Sequence, residues 1–178
     1  MRTAPGNEVK HIRTAVLKTP LGDMLAGVTG DAVCLLEFDD RGRLERQFKT
    51  VCEIFGMPLL PGEHVLFGVL RQQLAQYFDG NLTAFDIPLS YPGTDFQHKV
   101  WQALQDIPYG QTMSYGKVAE AIGKPGAARA VGGANGSNRI AIIIPCHRVI
   151  AAGGGPGGYG GGLWRKRRLL ELESGRMR

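Results

Sequence analysis

This sequence lacks closely spaced cysteines, long apolar runs and an apolar N-terminal signal core. Its three cysteines, Cys34, Cys52 and Cys146, are odd in number and widely spaced, which argues against a disulfide framework and favours a reducing compartment. No apolar run approaches the roughly 18 residues that span a bilayer, so we predict no membrane association. Because the first residues lack the apolar core of a secretory signal, we expect no export and predict a cytoplasmic location.

The acidic residues fall mostly in the first half of the chain, and the second half is the more basic one. The formal net charge is +5. Lys117, Lys124, Arg129 and Arg139 precede Cys146, and a basic run occupies residues 165–168. This distribution favours a polyanionic partner such as nucleic acid for the second half. A solvated helix face remains the alternative for the basic run.

Local patterns divide the chain into two parts. Short apolar runs separated by Gly, Pro and Asp predict a three-stranded meander over residues 12–39 and a further strand at 85–89. Helical spacing predicts helices at 44–55 and 63–78, and a Ser-Tyr-Pro-Gly linker follows at 90–93. We therefore predict an α/β domain at 1–91 and a second domain, mainly α-helical, at 92–178.

The second part contains the pattern of a helix-turn-helix. Helices are predicted from Thr94 or Asp95, at 115–122 after a Ser114 cap, at 127–134, and at 163–173. The helices at 115–122 and 127–134 are short and separated by a turn that contains glycine. The second of them is made almost entirely of small residues, which cannot read base edges, so sequence-independent DNA binding is favoured over a transcription factor.

Residues 145–149 read Pro-Cys-His-Arg-Val, after three isoleucines and before a segment, 153–162, that is mostly glycine. A cysteine becomes a good nucleophile only as thiolate, which requires a base or a positive field nearby. His147 is such a base. A buried structural cysteine beside a surface histidine is the alternative that this local pattern leaves open.

Six motifs follow one another along the second half of the chain. They are Ile-Pro-Tyr-Gly at 107–110, Ser-Tyr-Gly at 114–116, Gly-Ala-Ala-Arg-Ala-Val-Gly at 126–132, Asn-Gly-Ser-Asn at 135–138, Pro-Cys-His-Arg-Val at 145–149 and Tyr-Gly-Gly-Gly at 159–162. Together they resemble the O6-alkylguanine-DNA alkyltransferases. The first half is similar only in layout. The resemblance implies a ribonuclease-H-like N-terminal domain with a small antiparallel sheet and helices, and a mainly α C-terminal domain with a winged helix-turn-helix.

The resemblance also implies an activity. A guanine alkylated on O6 would be flipped out of double-stranded DNA by the helix-turn-helix in the minor groove. Its alkyl group, a methyl group in particular, would then move irreversibly to Cys146, so each molecule would react once and need no cofactor. O4-alkylthymine is a further candidate substrate. We expect a monomer, with cooperative binding to DNA left open. A non-catalytic lesion-recognition protein and a cysteine hydrolase are the alternatives.

The resemblance assigns a role to five residues of the reaction. Cys146 would attack the alkyl carbon, His147 would take the thiol proton through a water molecule, and Glu173 would orient His147. Tyr115 would press against the 3′ phosphate and assist guanine as a leaving group. Asn138 would brace the active-site turn.

The same resemblance assigns the contacts with DNA and with the flipped base. Arg129 would fill the gap that the base leaves, and small residues around it would allow close approach to the groove. These small residues are Ala127, Ala128, Ala130 and Gly132. The base pocket would be formed by Met113, Ala141, Val149, Tyr159 and Gly160.

Several positions depart from the family pattern. Gly160 replaces a serine that some members carry, so a backbone N–H would contact guanine O6. Ala141 replaces a proline, which predicts a roomier pocket. Residues 166–170 read Lys-Arg-Arg-Leu-Leu and make the last helix more basic. Some members bind zinc in the first domain through Cys and His. His11, Cys34, Cys52 and His64 do not fall at that pattern, so we predict no metal.

Overall fold

The first half of the chain folds around a four-stranded sheet. The computed structural model describes residues 10–40 and 42–175. Strands β1 (Ile12–Leu17), β2 (Met24–Thr29) and β3 (Ala32–Phe38) form the predicted antiparallel meander. A short strand β4 (Leu59–Pro61) pairs in parallel with β1, and the order is β3-β2-β1-β4. The prediction of an antiparallel sheet is therefore wrong at β4, where a parallel strand too short to show alternation joins the edge.

Two helices accompany this sheet, α1 (Arg43–Phe55) and α2 (Val65–Phe78), close to their predicted bounds. The strand predicted at 85–89 does not form. Only Leu89 makes an isolated bridge, to Val33, and the residues before it are irregular. Pro88 has no N–H to donate to a ladder, which accounts for the interruption.

The second half is mainly helical, as predicted. It contains α3 (Asp95–Gln105), α4 (Tyr115–Ala121), α5 (Ala128–Gly136) and α6 (Leu163–Glu173). Thr94 and Gln97 form a reciprocal capping box at the start of α3, and Ser114 caps α4. A parallel pair joins β5 (Met113–Ser114) to β6 (Val149–Ile150). Within 10–40 and 42–175, every helix is too short or too polar to cross a membrane.

Strand β3 connects the two halves through its outer edge. The Leu36 N–H donates to the Arg139 carbonyl at 2.8 Å, and the Ala141 N–H donates to the Leu36 carbonyl at 2.7 Å. The segment that precedes Cys146 is thereby held against the sheet. One apolar core also runs through both halves and includes Phe38 as well as Trp101. The domain boundary between 91 and 92 therefore stays a prediction.

Two of the basic residues at 165–168 are buried, so the run is not a continuous basic surface. Arg165 donates to Asp40 at 2.6 Å and to the Leu21 carbonyl at 2.8 Å, with its guanidinium 4.5 Å from the Phe38 ring centroid. Lys166 is fully buried. Arg139 is also buried and donates to the Pro92 carbonyl. These cations join parts of the fold, and the prediction that they face a polyanion is wrong for them.

Candidate active site

Cys146 begins a single 3-10 turn, Cys146–Arg148, beside a partly enclosed cavity of about 120 Å³. Its thiol is buried among both halves of the chain. Burial raises the pKa of Cys146 to about 11, although a hydrogen bond from Asn138 acts in the opposite direction. The thiol is therefore protonated at neutral pH, and it needs a proton acceptor before it can attack.

Asn138 holds the turn that presents Cys146. Its Nδ2 lies 2.9 Å from the Ile144 carbonyl and 3.2 Å from Cys146 Sγ, and its Oδ1 accepts from the Ile140 N–H at 3.0 Å. Between these contacts, Ile142 adopts φ 71°. Positive φ is strained for a β-branched residue. The buried amide therefore stabilises a turn that the local backbone disfavours.

His147 and Glu173 form a buried pair. His147 Nε2 lies 2.7 Å from Glu173 Oε1, and both side chains are fully enclosed. Burial lowers the pKa of His147 despite the hydrogen bond to Glu173, which favours a neutral ring. Because the ionised carboxylate can only accept, we assign the proton to Nε2. Nδ1 is then the basic nitrogen, and it has no hydrogen-bond partner in the described part of the chain.

Glu173 is held ionised by several donors besides His147. Arg148 donates to both carboxylate oxygens, at 2.9 and 3.1 Å, the Tyr77 hydroxyl donates to Oε1 at 2.7 Å, and the Gly110 N–H donates to Oε2 at 3.2 Å. Burial alone would raise the pKa of Glu173. The contacts with His147 and Arg148 outweigh it and lower the pKa to about 2.

Tyr77, Gly110 and Arg148 were not predicted as site residues. Tyr77 follows the apolar spacing of α2, so its sequence context indicates only a core residue. Gly110 has φ 76°, and a Cβ there would lie 2.8 Å from the Glu173 carbonyl oxygen. Its position at the end of the Ile-Pro-Tyr-Gly motif could have identified it, because a glycine in a tight turn often allows close backbone approach.

The cavity beside Cys146 is lined by residues from both halves. Tyr115, Asn138, Ala141, Tyr159, Gly160 and Gly132 are among them, together with Glu37 and Arg43. Met113 and Val149 do not line it; they pair with each other across β5 and β6. Their assignment to the base pocket stays a prediction. Tyr159 lines the cavity and has a buried hydroxyl without a hydrogen-bond partner among the described residues.

Two side chains from the first half, Glu37 and Arg43, were not predicted to reach the site. Arg43 donates through Nε to Glu37 at 3.1 Å, and its Nη2 donates to the carbonyls of Gly136 and Asn138 at 3.3 and 3.4 Å. A side chain at Gly160 would collide with the Arg43 guanidinium. The glycine that departs from the family pattern is therefore covered by an arginine.

Lys166 fixes the segment rich in glycine. Its ammonium donates to the Val149 carbonyl at 2.5 Å and to the Gly158 carbonyl at 3.1 Å. Burial lowers the pKa of Lys166 to about 8. The lysine ties α6 to the wall of the cavity and is not available to contact DNA.

Helices α4 and α5 form the predicted helix-turn-helix pair beside the cavity. Arg129 and Ala130 are exposed near the start of α5, whereas Ala127, Ala128 and Gly132 are half-buried. Gly132 lies one turn beyond Arg129 on the same face and lines the cavity with Tyr115. One helix thus connects an exposed arginine with the surroundings of Cys146.

The described residues contain no group of three or more His, Cys, Asp or Glu side chains that could hold a metal ion. Cys34 is buried in β3, and burial raises its pKa to about 12. It has the properties of a core residue.

Comparisons with known proteins find relatives of the second half of the chain. A family model described as 6-O-methylguanine DNA methyltransferase, DNA binding domain, matches residues 95–175. The methylated-DNA–protein-cysteine methyltransferase of Mycobacterium tuberculosis is 65% identical over 104 residues, 58% of this chain and 63% of that protein. The Shigella flexneri protein of the same name is 54% identical over 107 residues, 60% of this chain and 63% of its own length. These matched stretches cover less than two thirds of the relatives.

Solved structures extend the match to nearly the whole chain. Mycobacterium tuberculosis OGT, solved in complex with DNA, matches with a TM-score of 0.76 and 47% identity over 93% of this chain and 94% of that one. The O6-methylguanine-DNA methyltransferase of Pyrococcus kodakaraensis matches with a TM-score of 0.64 and 28% identity, covering 91% and 98%. This chain belongs to the O6-methylguanine-DNA methyltransferase family, the methylated-DNA–protein-cysteine methyltransferases.

Proposed function

We propose that this protein repairs O6-methylguanine in DNA by moving the methyl group irreversibly to Cys146. The observation that supports it most directly is the buried Cys146 thiol beside a cavity, next to a neutral His147 that Glu173 holds at 2.7 Å. A nucleophile, a base and an orienting carboxylate are the parts that such a transfer requires.

The transfer is a direct displacement. The bond from sulfur to the methyl carbon forms while the bond from that carbon to O6 breaks, and the electron pair moves to guanine. The thiol proton passes to His147 Nδ1 through a water molecule. Ionised Glu173 stabilises the resulting imidazolium, as a buried carboxylate does in a catalytic triad. The thioether product is stable, so each protein molecule reacts once.

Tyr115 is proposed to protonate the departing guanine. It lines the cavity, and burial raises its pKa above the ordinary value, so it carries its proton at neutral pH. A protonated phenol beside a leaving group that gains negative charge is a suitable general acid. Asn138 holds the turn, and the cavity that receives the base includes Ala141, Tyr159 and Gly160.

Access to the lesion requires base flipping, because O6 is inside the duplex stack. We propose that α5 enters the minor groove as part of a winged helix-turn-helix and that Arg129 fills the gap left by the base. Exposure of Arg129 one turn from the cavity supports this. O4-alkylthymine as a second substrate and a ribonuclease-H-like first domain belong to the same proposal.

The proposed partner is double-stranded DNA that contains O6-alkylguanine, bound by a monomer. A reducing compartment such as the cytoplasm suits a protein whose activity depends on a free thiol. A lesion-recognition protein without transfer is the second candidate. The chain has the Cys146 thiol, and the neighbouring His147 is hydrogen-bonded to Glu173. These groups favour transfer over recognition alone.

The test is to incubate the protein with a duplex that carries one O6-methylguanine and then to analyse the bases of the recovered DNA. Transfer predicts that the modified base is converted to guanine without loss of any base. The number of repaired lesions should equal the number of protein molecules that reacted. Cys146→Ser should bind the duplex and leave the lesion intact. A lesion that persists with the native protein under tight binding would establish the recognition protein instead.

A further inference from the structure

We propose that Arg43, the first residue of α1, contacts the flipped guanine and stabilises the negative charge that develops on it during transfer. The proposal rests on the function proposed above and assigns part of the chemistry to the N-terminal half. Arg43 and Glu37 are the two side chains of that half that line the cavity beside Cys146.

The guanidinium is fixed across the junction between the halves. Glu37 is buried and accepts from Arg43 Nε at 3.1 Å, and Nη2 reaches the carbonyls of Gly136 and Asn138. An arginine held by a carboxylate and two carbonyls has lost most of its rotamer freedom before a ligand binds. Such preorganisation is what electrostatic stabilisation of a transition state requires.

The remaining donors face the cavity wall at Gly160. Both terminal nitrogens lie so close to Gly160 that a Cβ would collide with them, and Nη1 makes no hydrogen bond to another described residue. A guanidinium has five N–H donors, and those on Nη1 are not needed to hold its position. They can therefore be directed to an acceptor on the base.

Methyl transfer creates a need for such a donor. As the bond between carbon and O6 breaks, the electron pair spreads over O6 and N1 of guanine, in a partly enclosed cavity beside the buried Cys146. A fixed cation interacts with that charge more strongly there than in water. Tyr115 can supply the proton, and Arg43 stabilises the charge before the proton arrives.

The first experiment compares single-turnover transfer rates for the native protein and Arg43→Gln on two substrates, a duplex with O6-methylguanine and the free base O6-benzylguanine. We expect Arg43→Gln to be at least tenfold slower on both. The free base removes any role in binding the DNA backbone. Arg46→Gln, an exposed arginine one turn further along α1, is the matched control and should retain the native rate.

A thermal melt of each variant accompanies the rates. If Arg43→Gln is not folded, Arg43→Lys replaces it, since it keeps the charge but not the planar fork. It should be several-fold slower on the free base. Native rates on the free base for either folded variant would overturn the proposal. A native protein that transfers nothing would instead overturn the proposed function itself.

A double variant tests the geometry independently of charge. Gly160→Ser in the native background should slow transfer from the duplex at least tenfold, because the new side chain displaces the guanidinium. In an Arg43→Ala background, the same change should raise the rate, since the serine hydroxyl then fits and supplies a donor. A loss of equal size in both backgrounds would contradict the contact between Arg43 and Gly160 on which the proposal depends.

Discussion

At the scale of single residues, Asn138 links the Cys146 thiol to the backbone of its own turn. One amide contacts the Ile144 carbonyl and Cys146 Sγ, and its oxygen accepts from the Ile140 N–H. Removing a buried partner leaves the remaining groups without hydrogen bonds, which costs about 1–3 kcal/mol for each group. The strained backbone at Ile142 then loses the hydrogen bonds that hold it in place.

Asn138→Ala is therefore expected to lower the free energy of unfolding by roughly 3 kcal/mol and to slow methyl transfer. Urea unfolding and single-turnover kinetics measure the two effects. Asn81→Ala removes an exposed asparagine after α2 and should change stability by about 0.5 kcal/mol or less. Equal effects of the two substitutions would show that Asn138 does not support the turn.

The resemblance to a known family predicted much of the candidate site but not all of it. It implied that Glu173 orients His147, and the structure brings the two side chains to 2.7 Å. Tyr77 and Arg43 were not predicted, because nothing local distinguishes a tyrosine on an apolar helix face or an arginine at a helix start. Arg43 reaches the second half through carbonyls 93 and 95 residues away, and Tyr77 reaches it through a carboxylate 96 residues away.

At the scale of elements, we expect the exposed start of α5 to act in DNA binding and not in the transfer step. Arg129→Ala should slow transfer from duplex DNA roughly tenfold or more, in line with 1–3 kcal/mol for one arginine contact. Transfer from free O6-benzylguanine should stay unchanged, because no base has to leave a stack. Lys49→Ala, at an exposed position on α1, removes the same charge as a control. A parallel loss on the free base would mean that Arg129 acts on the site and not on the duplex.

The segment rich in glycine packs closely against Tyr115, the first residue of α4. Gly157 has φ 64°, and a Cβ there would lie 2.9 Å from the Tyr115 hydroxyl. Gly157→Ala should cost about 1–2 kcal/mol of stability from the left-handed backbone and should slow transfer by displacing Tyr115. Gly153→Ala is the control, because its Cβ would meet open space. Urea unfolding measures the difference, and no difference would contradict the packing of Tyr115 on this segment.

Periodicity predicted the long elements and failed for the short ones. Helix α6 has the predicted bounds, and α1 and α2 begin or end within two residues of theirs. The strand β4 has three residues, too few for a pattern, and its parallel pairing with β1 depends on distant sequence. The basic run at 165–168 was predicted to be exposed because charged residues are rarely buried without partners. Asp40 and backbone carbonyls from other elements are those partners.

At the scale of the whole molecule, Glu173 is a buried carboxylate that both halves of the chain contact. Tyr77 of the first half and His147 and Arg148 of the second half are hydrogen-bonded to it. Its folded pKa of about 2 lies below the ordinary value near 4.3. A lowered carboxyl pKa contributes stability that is present above the unfolded value and is lost as pH falls through the folded one. The contribution is roughly 3 kcal/mol at neutral pH.

The native protein should therefore lose stability steeply between about pH 5 and pH 2, and Glu173→Gln should flatten this acid limb while being less stable at neutral pH. Urea unfolding at a series of pH values measures both curves. Parallel curves for the two proteins would show that Glu173 is not held ionised by the fold.

The Tyr77 hydroxyl connects α2 to His147 through Glu173, because both side chains contact Glu173 Oε1. Burial and the nearby Glu173 charge raise the Tyr77 pKa well above its ordinary value, so the phenol stays a donor. Tyr77→Phe should concentrate the carboxylate charge on His147, raise the pKa of its ring, and move the acid limb of the transfer rate to higher pH. Tyr91→Phe, whose hydroxyl contacts Gln105 instead, is the control. An unchanged profile for Tyr77→Phe would limit Tyr77 to packing.

The central claim concerns Cys146, and an intact-mass spectrum after reaction with a duplex containing one O6-methylguanine tests it most directly, with peptide mapping to locate any change. We predict a gain of one methyl group on Cys146 that saturates at one per protein molecule. No gain of mass, a methyl group on another residue, or continued turnover without modification of the protein would contradict it.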